Sequence, residues 1–263
     1  MPDFASLPLP ASLSADAVPL SARLALRERP TGTPLLRQQW RELLFLHWPV
    51  PAELLQAHLP PRLRADTHQG QAWIGIVPFE MAKLRTRFTP AVPGTHTFLE
   101  LNVRTYVHLD GVPGVWFFSL DATSALAVWV ARTFFNLPYL RATMRLERPG
   151  ADLRQFTATR THGGVAAGSF RATWKVGTPL PPAEPGSLAF FLTERYALYT
   201  SNQAQTKLYR GRVAHAQWPL STAQVLHLES NLIEGHGLPT PTGKPVVHAG
   251  GPVSVELWPM QQV

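Results

Sequence analysis

The chain has 263 residues, 45% of them hydrophobic, which is enough for one large domain with a real core. It contains no cysteine, which excludes disulfides, thiolate metal sites and cysteine nucleophiles, and fits a reducing cytoplasm. The net charge is +7, but its arginines are scattered, without a basic block or a basic–aromatic repeat. Charge therefore permits nucleic-acid binding while pattern argues against it.

Residues 1–35, rich in Ala, Leu, Pro, Ser and Arg, read as a mobile tail with a short helix at Ala22–Arg29. Asp3 and the interrupting prolines are unlike a signal peptide. No apolar run of about 18 residues marks a membrane span. Residues 36–263 read as a single domain. Trp40–Trp48 predicts a strand ended by Pro49, and Pro51–Leu59 a short amphipathic helix closed by Pro60 and Pro61. Ala72–Phe79 predicts a buried strand, and Thr86–Thr95 a Pro/Gly loop.

Phe98–His108 is the most informative strand. Side chains alternate along a strand, so Leu99, Leu101, Val103, Thr105 and Val107 share one face. Phe98, Glu100, Asn102, Arg104, Tyr106 and His108 share the other. Asp110-Gly111 predicts a hairpin leading into Val115–Leu120, a strand apolar on both faces. Ser124–Asn136 predicts a helix that is apolar almost all round, hence buried, and stopped by Pro138. Further strands are expected at Tyr139–Arg148, Gln155–Thr161, Val165–Val176, Arg195–Thr200, Lys207–Trp218 and Val253–Trp258, with a short helix near Leu188–Leu192. The expected class is α+β, a mostly antiparallel sheet wrapped into a barrel with a polar-lined interior.

Several of these segments carry a resemblance. Trp40–Leu63 (WRELLFLHWPVPAELLQAHLPPRL), Phe98–Tyr106 (FLELNVRTY), Gly114–Ala122 (GVWFFSLDA), Ala131–Tyr139 (ARTFFNLPY), Phe191–Thr200 (FLTERYALYT) and Leu208–Leu220 look like the uncharacterised bacterial YqjF-like family. That family is grouped with acetoacetate decarboxylase, which implies a large antiparallel barrel around an apolar active-site cavity. Arg41 is similar to that superfamily's active-site arginine, and Glu100 to the glutamate on the strand lining its cavity. The Gly-Arg-Glu…Phe-Pro-Lys-Lys motif, which carries the Schiff-base lysine, resembles Ala131-Arg132-Thr133…Leu137-Pro138-Tyr139-Leu140. Arg132 and Pro138 are kept; Tyr139 and Leu140 stand where the lysines would be. Imine catalysis needs a desolvated lysine of depressed pKa, so no Schiff base is expected. Of the four lysines, Lys83, Lys175, Lys207 and Lys244, Lys207 is the least implausible substitute.

The candidate catalytic groups are therefore Glu100 and Tyr139. Arg41, Asn102, Arg104, Tyr106 and Arg132 are candidate ligand contacts, and His47, Glu194 and Tyr196 secondary ones. Each has a plainer alternative. The Glu100 face could be solvated, Arg132 could be a structural partner of Glu100 or Asp121, and Tyr139 could merely pack. Alternation puts Glu194 and Tyr196 on one strand face and Arg195 on the other. No close histidine cluster suggests a metal, no G-x-S-x-G suggests a serine hydrolase, and no cofactor is implied. The leading expectation is a cytoplasmic barrel binding a small carboxylate or carbonyl ligand, as a lyase, hydratase or isomerase without imine chemistry. A non-catalytic binding protein and a basic protein engaging an anionic macromolecule are the alternatives. Eight tryptophans and exposed sheet edges make a homodimer a reasonable expectation.

Overall fold

The computed structural model describes residues 18–87 and 97–263. In chain order these form α1 (Leu20–Ala25), β1 (Leu36–Arg41), β2 (Leu43–Val50), α2 (Ala52–Gln56), β3 (Arg64–Ala65), β4 (Ala72–Thr86) and β5 (Thr97–Leu109). Next come β6 (Val112–Ala122), α3 (Ala125–Phe135), β7 (Tyr139–Glu147), β8 (Leu153–Arg160), β9 (Ser169–Pro179), α4 (Leu188–Thr193) and β10 (Ala197–Ser201). The remaining strands are β11 (Leu208–His215), β12 (Leu220–Ser230), β13 (Val246–Gly250), β14 (Val253–Leu257) and β15 (Gln261–Gln262).

All fifteen strands belong to one sheet, antiparallel except where β6 runs parallel to β7 and to β10. The sheet closes on itself twice. One circuit runs β1–β14–β11–β10–β6–β5–β4 and returns to β1. The other runs β4–β2–β13–β12–β9–β8–β7–β6 and returns through β5. Strands β4, β5 and β6 form the wall between the two compartments, so both of their faces are buried. That is why Ala72–Phe79 and Val115–Leu120 are apolar without alternation.

The second compartment is filled by side chains. Leu44, Leu46, Ile74, Ile76, Leu101, Val103, Phe156, Phe170 and Trp174 form one cluster, each at most 2% exposed. The first compartment is hollow. It is roofed by α3, the crossover that the parallel β6–β7 pairing requires. Ser124 caps α3 by accepting a hydrogen bond from the Ala127 N–H, and Asn136 in the left-handed region ends it.

Four differences from the sequence reading have physical causes. The strand expected over Trp40–Trp48 is broken at Glu42, whose φ of 55° separates β1 from β2. Helix α3, expected to be buried, roofs the compartment with one face only; Trp129 and Phe134, on the other, are exposed. Residues 18–35, the end of the expected tail, pack against the body through an ion pair from Arg23 to Asp66 at 2.6 Å. Residues 1–17 lie outside the described residues, as does most of the loop expected at Thr86–Thr95. Strands β12 and β13 carry no clear apolar alternation and were not expected.

Candidate active site

The hollow compartment contains a cavity of about 300 Å³. Its floor is the polar face of β5, where Phe98, Glu100, Asn102 and Arg104 follow one another at alternate positions. A bulge where β6 pairs with Val103 and Arg104 turns Phe117 into the cavity beside Arg104, while Phe118 packs with the filled core. Trp40 and Leu36 from β1, Met81 and Phe79 from β4, Trp218, and the inner side of α3 (Ala127, Ala131, Phe135) complete the mainly apolar walls.

Tyr139 opens β7 in register with Leu120, next to β5 across β6. Its hydroxyl donates a 2.7 Å hydrogen bond to Glu100 Oε2. Glu100 is 2% exposed and has no cationic partner among the described residues. Burial, reinforced by the nearby Asp121 charge, raises its pKa to about 8 against the opposing hydrogen bonds from Tyr139 and Asn102. At neutral pH this carboxyl is mostly the neutral acid, so it has a proton to give. Burial, and then the neighbouring carboxyl, raise Tyr139 well above the usual phenol value, which keeps it a neutral donor.

Arg104 is the other unusual group. Its guanidinium lies 5.4 Å from the Phe45 ring, and its Nη2 makes only long hydrogen bonds, 3.4 Å to the Tyr106 hydroxyl and 3.3 Å to the Leu192 carbonyl. Its buried Nε has no partner, and no carboxylate pairs with it among the described residues. The buried Asn102 Oδ1 is likewise unpartnered. Such groups are costly to bury unless something else completes them. A permanently charged donor, a carboxamide, a neutral acid and a phenol thus line one apolar cavity. This equipment can hold an anion or carbonyl oxygen and move a proton.

The other expected site residues sit elsewhere. Tyr106 is fully buried beyond the cavity; its hydroxyl donates to the Leu192 carbonyl at 2.6 Å and meets His47 Nε2 at 2.7 Å. Because that hydroxyl already donates to Leu192, His47 must donate from Nε2, and burial followed by Arg104 holds the ring well below the usual imidazole value. Glycine at 75 admits the ring, since a Cβ there would lie 2.7 Å from His47 Cδ2. The Tyr196 hydroxyl and the Trp218 N–H both donate to Glu194, so this pair positions the Trp218 wall. Residues 194–196 lie in the loop before β10, not in a strand, and Arg195 there pairs with Asp66 at 2.7 Å.

Two expectations are corrected. Arg41 does not line the cavity: on β1 it is Leu36, Gln38 and Trp40 that do, and Arg41 pairs with Glu80 at 2.7 Å. Arg132 is neither a cavity contact nor a partner of Glu100 or Asp121; it is exposed and donates to the Tyr139 carbonyl at 2.9 Å. Asp121 is held instead by Arg160 at 2.8 and 2.9 Å, both side chains 2% exposed. No lysine lines the cavity. The Arg23–Asp66–Arg195 cluster was not expected, because its members are separated by up to 172 positions and share no local motif. Outside the cavity, an exposed groove gathers Arg27, Arg29, Arg37, Lys83 and Arg85 around one carboxylate, Glu256. Among the described residues no helix is long and apolar enough to cross a membrane.

Comparison with known proteins fits this geometry. The model of the family DUF2071, an uncharacterized conserved protein, matches residues 37–253. The uncharacterized protein YqjF of Bacillus subtilis (strain 168) is 41% identical over 233 residues, 89% of this chain and 94% of that protein. Among solved structures, an acetoacetate decarboxylase-like enzyme from Sphingomonas wittichii RW1 superposes with a TM-score of 0.60 at 13% identity, covering 88% of this chain and 94% of that one. The enduracididine biosynthesis enzyme MppR, complexed with pyruvate, gives 0.60 at 14% identity over 88% and 91%. Acetoacetate decarboxylase from Legionella pneumophila gives 0.57 at 14% over 90% and 91%.

Proposed function

The chain belongs to the DUF2071 family and has the acetoacetate-decarboxylase-like fold, and from that premise we propose that its cavity binds a small oxo or hydroxy acid and moves a proton on it without an imine. The observation that carries the reading is the convergence on one cavity of a neutral buried acid, Glu100, and a cation with no carboxylate partner, Arg104. Arg104 and Asn102 hold the ligand's carboxylate or carbonyl oxygen. Glu100 gives or takes the proton, and Tyr139 donates a hydrogen bond to whichever oxygen carries developing charge. Tyr139 occupies the place where the resemblance puts the lysine, so the chemistry is that of a lyase, hydratase or isomerase acting through enol or enolate formation. The pyruvate in the MppR complex, an oxo acid bound in the same fold, supports trying that ligand class first.

Proton transfer is read directly as deuterium uptake, in D₂O, at carbons next to the carbonyl of oxo acids. The wild-type protein should exchange at least one acid of the panel faster than buffer does. The rate should rise with pH as Glu100 ionises near 8. Glu100→Gln should abolish exchange while the same acid still raises Tm. Binding without exchange by the wild type would overturn catalysis and leave a non-catalytic binding protein.

A further inference from the structure

Floor, walls and volume of the cavity together bear on the size of what it holds. Along β5 the floor runs from Arg104 through Asn102 and Glu100 to Phe98. At about 3.3 Å per residue, that is roughly 20 Å of strand. Polarity falls along it. The Arg104 end carries the unpartnered groups, whereas at the Phe98 end Met81 of β4 pairs with Phe98, and Leu84 and Leu36 follow beyond it. Exposed Arg85 and Thr86, also in the lining, mark where this apolar end reaches the surface. The volume of about 300 Å³ lies at the lower edge of drug-sized sites. At roughly 30 Å³ for each water-sized group, it has room for on the order of ten non-hydrogen atoms.

A two- or three-carbon acid seated at Arg104 would leave the apolar half of such a trough filled only by water. Water held between Phe98, Met81 and Leu84 would have few polar partners, so displacing it with a hydrocarbon tail is favourable. We infer that the ligand is a monoanion with an extended apolar body of roughly seven carbons, its carboxylate at Arg104 and its tail running along the inner face of α3 toward Phe98. This rests on the carboxylate reading proposed above and adds the tail.

The test is a calorimetric titration of the full chain with straight-chain carboxylates from acetate to dodecanoate, with octylamine as a cationic control. Each added methylene should tighten Kd roughly fourfold, the equivalent of about 0.8 kcal/mol. The gain should level off near octanoate, where the trough is full. Octylamine should bind at least about a hundredfold more weakly than octanoate, and Arg104→Leu should erase that difference. Acetate and decanoate binding equally, both lost in Arg104→Leu, would overturn the tail while leaving the carboxylate reading intact. A steep chain-length series in which octylamine matches octanoate would overturn the carboxylate reading instead. Failure of every acid to bind would overturn both; the chain-length and octylamine comparisons need no variant to fold.

Discussion

Strand β5 separates two compartments that the same chain builds in opposite ways. On one face Leu101 and Val103, both 0% exposed, vanish into a close-packed cluster of aliphatic and aromatic side chains. On the other face Glu100, Asn102 and Arg104 border a cavity. Both compartments have buried charge near the partition, but it is handled differently. Asp121 is clasped by Arg160, and Asp66 by Arg23 and Arg195, so burial pushing the Asp66 carboxyl up is outweighed by the two guanidiniums and its pKa ends below the usual value. Glu100 has no such cation, and its pKa ends high. Buried charge completed by the protein holds the fold together. At the cavity the protein's own groups leave buried polarity incomplete, and that is the feature the proposed function builds on.

The contrast can be broken by substitution, and the largest expected effect is on Glu100. A carboxyl near 8 in the folded chain and 4.5 when unfolded contributes fully below about pH 4.5 and loses that contribution as pH rises through 8. The swing is on the order of 4–5 kcal/mol at about 1.4 kcal/mol per pH unit. Urea midpoints across this range should fall for the wild type, and Glu100→Gln should flatten that fall. Next, Arg160→Met should cost about 3–5 kcal/mol, because it leaves Asp121 buried without its partner. The matching change at the cavity, Arg104→Met, should cost little, since it strands no carboxylate. Leu101→Ala, on the packed face, should cost about 2–4 kcal/mol through the void it opens. Smallest of all, Arg41→Ala should lose less than about 1 kcal/mol, the worth of a partly exposed pair with Glu80. Equal costs for Arg104→Met and Arg160→Met would erase the distinction between the two kinds of buried charge.

Much of the hollow compartment's floor was legible because strand alternation is strict: Glu100, Asn102 and Arg104 had to share a face, and three apolar residues had to oppose them. Sequence could not tell that face from a solvated one; the β1–β4 and β1–β14 pairings that close the compartment join segments far apart in the chain. Arg41 was assigned to the cavity by resemblance, yet the alternation of β1 places Trp40 inside. Helix α3 appeared buried because both of its faces are apolar, although only one roofs the cavity. Strand β12, half exposed along its length, offered too weak a pattern to be seen.

The central claim is that Glu100 is a neutral acid at physiological pH inside a ligand cavity. Its direct test is carboxyl-carbon NMR of protein labelled with ¹³C-glutamate, with Glu100→Gln identifying the resonance. A signal that is absent from the variant, titrates near 8 and shifts when octanoate is added is the predicted result. A Glu100 signal that titrates between about 4 and 5, the range of an ordinary exposed glutamate, would contradict the account.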